Sequence, residues 1–311
     1  MVKHGSSIAR LNKGACDDSY EICCEKFVSP PSVLKIKQCG FQNPIGMHTR
    51  ITKDSQTAKF GEVPWTVAIL QQDRVAKNVL LFKCGGSLIH PQVVMTAAHC
   101  VANERNADWL IRAGEWNTRS LEEPLPHQEK VVDAVLIHPH FNHASLKNDV
   151  ALLILAGSLQ FADNVGTICL PPAGLQLDRV KCMASGWGKD SFTKGKHSTV
   201  LKMIELPLVG HDDCQRSLRN TRLGKFYHLH RSFLCAGGEP NKDTCKGDGG
   251  SPLVCSIPNQ PGRYLQMGIV SWGIGCGKNS TPGVYVNVPY IKAWVDKQLK
   301  MLYFNTSFYT Y

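Results

Sequence analysis

From Val63 onward, apolar residues recur in short runs bounded by turn-forming residues, a spacing that reads as strands rather than helices. The runs are Thr66–Leu70, Val93–Thr96, Leu110–Ala113, Val131–Ile137, Val150–Leu155, Gln266–Trp272 and Val284–Val288. They are rich in β-branched and aromatic residues, which suit a pleated, half-buried surface, and their number predicts an all-β barrel or sandwich. One stretch differs: Tyr290–Lys300 puts Ile291, Trp294, Val295 and Leu299 on one face, predicting a C-terminal helix packed on the β body. The tail Leu302–Tyr311 is aromatic and polar without a period, so no structure is expected for it. Residues 1–50 are rich in Lys, Ser, Pro and Cys and read as a small stapled module followed by a linker around Pro30 and Pro31.

With 311 residues, 43% of them apolar, the chain is long enough for one or two domains with a sizeable core. Its candidate for a membrane span, Val150–Ala156, has the length of a buried strand, far short of the roughly 18 residues a spanning helix needs. Neither a membrane nor a nucleic acid is expected as a partner. Lys and Arg outnumber Asp and Glu by 35 to 25, which fits either a polyanionic partner or an ordinary solvated surface. The thirteen cysteines change the picture more. Scattered spacing from Cys84 to Cys276 argues for disulfides and an oxidising, extracellular compartment rather than zinc. The start, MVKHGSSIARLNKG, has no apolar core of a signal peptide, so Met1 is expected not to be the true beginning of a secreted protein.

The candidate chemistry is nucleophilic acyl transfer, which needs a hydroxyl, an imidazole to take its proton, a buried carboxylate to orient the imidazole, and amide donors for the oxyanion. The run MTAAHC holds His99, KNDVALL puts Asp149 at the head of an apolar strand, and DTCKGDGGSPLVC is followed by Ser271-Trp272-Gly273. A later turn reads Gly247-Asp248-Gly249-Gly250-Ser251-Pro252, and its resemblance to the G-D-S-G-G-P fingerprint of trypsin-like serine proteases implies that the hydroxyl is missing, with Gly249 where the family's serine stands and Ser251 two positions late. Two residues of extended chain span up to roughly 7 Å, and a misplacement of about 1 Å already costs about a hundredfold in rate. The chain is therefore expected to bind rather than cut. The alternative is a slow trypsin-like endopeptidase using the displaced Ser251.

Together with PWTVAIL, CGGSLI, ASGWG and PGVY, these blocks resemble the trypsin-like serine proteases from about Ile51 to Met301. The resemblance implies a chymotrypsin-like double six-stranded β-barrel with a C-terminal helix. It also implies that Ser271 bonds the carboxylate, that Gly247 and Gly249 keep an oxyanion-hole remnant, and that Asp243, Gly273 and Gly283 form a primary specificity pocket for Arg or Lys. Whether that pocket is used or is a relic stays open. Cleavage between Arg50 and Ile51 would free an amine to pair with Asp248, although the glycines that usually follow are replaced by Thr52 and Lys53. Matching the blocks implies five disulfides: Cys39–Cys169, Cys84–Cys100, Cys182–Cys255, Cys214–Cys235 and Cys245–Cys276. The loop with Glu115, Asn117, Glu122 and Glu123 resembles a calcium loop, the other reading being a solvated acidic loop.

Cys16, Cys23 and Cys24 remain, spaced like the second half of an arthropod clip domain, which suggests a truncated clip module; free thiols or intermolecular bridges are the alternative. CGFQNPIG, RAGEWNT, HPHFN and TRLGKFYHLHRSFLCAGGE then narrow the resemblance to clip-domain serine protease homologues of the prophenoloxidase-activating factor type. The division that follows is a clip remnant and linker over 1–38, an inactive peptidase domain over 39–301 and a tail over 302–311. This resemblance implies a secreted haemolymph cofactor of melanisation that is cleaved by a protease and meets prophenoloxidase and its activating protease; whether it oligomerises stays open. Arg216, Arg219, Arg222, Lys225 and Arg231 within 215–231 would suit an acidic partner or polysaccharide if not merely exposed. Asn279 and Asn305 head glycosylation sequons, the first weakened by Pro282.

Overall fold

Alternating burial along short strands builds this protein: on one strand, Ala151, Leu153 and Leu155 turn into one cluster while Leu152 and Ile154 turn into another. The computed structural model describes residues 38–44, 46, 56–73, 79–104, 107–120, 122–177, 180–188, 197–239, 248–274 and 281–311. The expected clip remnant, with Cys16, Cys23 and Cys24, and the expected cleavage site at Arg50–Ile51 lie outside the described residues.

The first barrel holds β1 (Thr66–Gln72), β2 (Leu80–His90), β3 (Val93–Thr96), β4 (Trp109–Ala113), β5 (Gln128–Ile137) and β6 (Ala151–Leu155). They close antiparallel in the order β1-β2-β3-β6-β5-β4. The second holds β7 (Lys181–Gly186), β8 (Lys202–Val209), β9 (Phe233–Ala236), β10 (Pro252–Ile257), β11 (Gln260–Trp272) and β12 (Gly283–Asn287), ordered β10-β11-β12-β9-β8-β7. Closure removes the free edges along which open sheets aggregate. The double six-stranded architecture expected from the resemblance is thus present.

Each barrel has its own interior, around Val67, Ile69 and Ile111 in the first and Leu206, Leu253 and Tyr285 in the second. A third cluster joins the barrels, with Trp65, Met95 and Leu152 meeting Trp187, Ile269 and Val286. Burying each such aliphatic side chain contributes about 1.5–3 kcal/mol, so the seam that carries the cleft is also core. Four expected disulfides are formed: Cys39–Cys169, Cys84–Cys100, Cys182–Cys255 and Cys214–Cys235. The fifth, Cys245–Cys276, lies outside the described residues.

The C-terminal helix, α2 here after α1 (His211–Arg219), runs Val288–Met301 and buries Ile291, Val295 and Leu299, with Pro289 in the first turn where its missing N–H costs nothing. The tail corrects the expectation of no structure. Leu302–Tyr311 folds back through a 3-10 turn at Thr306–Phe308, Tyr309 is fully buried, and the Leu170 amide donates to the Tyr309 carbonyl at 2.9 Å. Spaced aromatics did the ordering: Phe304 and Phe308 enclose His90, each ring 4.8 Å from the imidazole. Among the described residues no helix is long and apolar enough to cross a membrane.

Candidate functional site

Local backbone conformation aims the two titratable groups at each other. His99 lies in a 3-10 turn, Ala98–Cys100, immediately after β3, and Cys100 is tied back to β2 through Cys84. Asp149 precedes β6, and the residue before it, Asn148, adopts φ 55°, a left-handed conformation that Asn tolerates better than most residues. Sequence reasoning passed over Asn148; its signal was an Asn placed directly before an Asp at a strand head.

Asp149 is fully buried. Its Oδ1 accepts the His99 backbone N–H at 2.8 Å, and its Oδ2 accepts the Ser271 hydroxyl at 2.6 Å and His99 Nδ1–H at 2.7 Å. A carboxylate only accepts, so Nδ1 carries the proton and Nε2 presents a lone pair. The imidazole and the carboxylate for acyl transfer are therefore assembled, with Ser271 behind the carboxylate.

Nε2 faces Gly249. A Cβ built on Gly249 would lie 2.8 Å from Nε2 and 3.6 Å from Cys84 Sγ, so the residue facing the imidazole carries no side chain. The turn is fixed by the Gly249 carbonyl accepting from Gly85 N–H at 2.9 Å, and by Gly250 at φ 80°, where a Cβ would fall 2.2 Å from Thr96 Oγ1. Ser251 Oγ makes no hydrogen bond to His99. The Ser251 side chain is enclosed between Gly85 and Gly186, and its Oγ is buried without a hydrogen-bond partner.

Of the expected oxyanion remnant Gly249 is described, whereas Gly247 lies outside the described residues, as do Asp243 and Asn279. Of the expected pocket walls, Gly283 is buried at the start of β12 and Gly273 is exposed. Asp248 turns away from the cleft and accepts from Gly188 N–H at 2.8 Å. Asn305 is exposed, with its side-chain oxygen accepting from Ser307 N–H at 2.9 Å.

In the acidic loop, two of four residues converge. Glu115 is buried and pairs with Arg112 at 3.0 Å, while Glu123 accepts the amides of Trp116 and Asn117 at 3.1 and 2.7 Å. Burial, and then the neighbouring Glu115 charge, push the Glu123 carboxyl up to about 7 against the pull of those amides. Glu122 is exposed, and the Asn117 side chain turns to the Arg119 amide at 3.3 Å.

Comparison with known proteins agrees with this geometry: the trypsin family matches over residues 53–295. The chain belongs to the trypsin family. Within it the chain is a clip-domain protease homologue, 47% identical to phenoloxidase-activating factor 2 of Galleria mellonella over 91% of this chain and 97% of that one. Two relatives from Anopheles gambiae, each named an inactive CLIP domain-containing serine protease, are 37% and 36% identical, over 94% and 92% of this chain and 80% and 79% of theirs.

Proposed function

We propose that this trypsin-family chain is a catalytically silent, secreted cofactor of the haemolymph phenoloxidase cascade, binding prophenoloxidase and its activating protease. One observation carries the reading: Gly249 stands at the nucleophile's position, 2.8 Å by its built Cβ from His99 Nε2, with Asp149 and Ser271 intact behind. Removing the nucleophile costs on the order of a millionfold in rate and leaves only oxyanion and binding effects. The retained dyad and barrels support a scaffold kept for binding, and the names of the relatives support the cascade.

The test uses the full chain, cleaved at the front, in a reconstituted mixture of prophenoloxidase and activating protease. The expected result is a rise in phenoloxidase activity on adding this protein, with no turnover of an arginine ester by the protein alone. Turnover abolished by His99→Ala, or no effect on the cascade, would overturn the reading.

Calcium belongs to the same proposal. Two carboxyl groups repel across a partly buried loop, which is the donor chemistry a hard cation neutralises, so Glu115 and Glu123 fit it. They would hold the ion, whose charge would stiffen the loop through the Trp116 amide.

A further inference from the structure

Between Gln215 and Leu234 the chain carries five Lys or Arg residues and no Asp or Glu. The fold holds this segment firmly: Cys214–Cys235 ties α1 to β9, and Leu218, Leu229 and Phe233 are buried together beneath it. Two of the cations are used internally, Arg216 with Asp213 and Arg219 on the Tyr227 carbonyl at 2.8 Å. The other three, Arg222, Lys225 and Arg231, are exposed, and among the described residues none of their charged ends meets a carboxylate. Exposed Lys147 is brought close to Arg231, because the neighbouring Asn148 amide donates to the Ser232 hydroxyl at 3.1 Å. After burial, its charge and that of Arg231 help hold His230 below the usual imidazole range, so both act on one ring.

An apolar group sits among these charges. Phe226 is 81% exposed, with the Lys225 ammonium 5.1 Å from its ring centroid. The next residue, Tyr227, stands edge-on to Trp272 at 6.3 Å, and Trp272 follows the Ser271 that bonds Asp149. Tyr227 thereby links the basic segment to the strand that carries Ser271.

We infer that Arg222, Lys225, Phe226, Arg231 and Lys147 form a docking surface for an acidic protein segment that carries an apolar residue. This inference rests on the reading of the chain as a binding cofactor and names the chemistry of what it binds. Unpaired cations set the sign of the partner and raise its rate of encounter. Phe226 selects protein over sulfated polysaccharide, because an exposed aromatic anchor is rewarded only by apolar surface on the partner.

The experiment is fluorescence anisotropy of the full chain with a labelled peptide, Glu-Glu-Leu-Glu-Asp-Phe-Glu-Glu, and separately with dextran sulfate. Binding should weaken with salt, and the combined Arg222→Glu, Lys225→Glu and Arg231→Glu variant should bind the peptide at least about tenfold more weakly. Phe226→Ala should weaken the peptide and leave dextran sulfate unchanged. All four positions are exposed, so unchanged melting will show that the variants fold. Wild-type peptide affinity in the triple variant overturns the inference, and so does indifference of the peptide to Phe226→Ala with tight dextran sulfate binding. In the reconstituted cascade, an active wild type with an equally active triple variant sinks this surface alone. An inert wild type that still binds the peptide sinks the cofactor reading and keeps the surface.

Discussion

His99 Nε2 stands so close to Gly249 that a side-chain carbon built there would be 2.8 Å away, inside normal contact. The imidazole has space that a serine would need, and Asp149 holds it in place through Nδ1 at 2.7 Å and the backbone amide at 2.8 Å. Gly249→Ser therefore returns the hydroxyl without returning the geometry, and a displacement of about 1 Å costs about a hundredfold. Labelling of Gly249→Ser by a peptidyl phosphonate, followed by mass spectrometry, should run at least about a hundredfold slower than labelling of an active trypsin. A trypsin-like rate would mean that the ring swings aside freely.

The three hydrogen bonds on Asp149 hold β6, β11 and the His99 turn together. Each buried donor left unpaired costs about 1–3 kcal/mol. Asp149→Ala should lower unfolding free energy by roughly 3 kcal/mol or more in urea titration. Ser271→Ala removes one donor and should cost about 1 kcal/mol. Equal small losses in both would show that the carboxylate is not a structural hub.

Legibility followed side-chain size. β1, β3, β4 and β6 were readable because large apolar residues such as Ile69, Val93, Ile111 and Leu153 fill buried positions in them. β7 was not: KCMASG fills its place in the second barrel with Cys, Ala, Ser and Gly, buried yet weakly apolar. β2 was broken by Gly85 and Gly86, where a Cβ would meet Ser251 Oγ at 2.0 Å and Val94 Cγ1 at 2.8 Å respectively. α1 hides because only Cys214 and Leu218 of its nine residues are buried, too few for a period. The site was legible through the blocks around His99, Asp149 and Gly249. The enclosure of Ser251 was not, since it depends on Gly85 and Gly186 arriving from two different barrels.

The tail offers a sharper test of packing against hydrogen bonding. Tyr309 is fully buried and its hydroxyl donates to Asp296 at 2.8 Å, beside Lys292 on the same carboxylate at 2.6 Å. Tyr309→Phe should cost about 1 kcal/mol and Tyr309→Ala about 3–5 kcal/mol, measured by chemical denaturation. Similar losses in the two would place the stability in the hydrogen bond.

His90 ties that tail to the acid limb of stability. Burial between Phe304 and Phe308 lowers its imidazole to about 4, and burial followed by His140 does the same to His138. The unfolded chain takes up these protons near 6.5, the folded chain only near 4, so stability present above pH 6.5 is lost as pH falls toward 4. His90→Gln should flatten the decline of melting temperature over that window while His138 maintains part of it. An unchanged slope would mean that the ring is already solvated when the tail is docked.

Glu123 works in the opposite sense. The folded chain keeps its proton up to about 7, whereas an unperturbed carboxyl releases it near 4.5, so the stability it gives at low pH is lost as pH rises through 7. Calcium competes with that proton, and the ionised pair with Glu115 is the form that would take the cation. The rise in melting temperature on adding calcium should therefore be larger at pH 8 than at pH 6, and Glu123→Gln should remove both the calcium response and the downward slope. Arg112 already neutralises part of Glu115, which argues for a modest affinity. A calcium response that survives Glu123→Gln, or one equal at the two pH values, would put the ion at other oxygens and leave this loop held by Arg112 and the Trp116 and Asn117 amides.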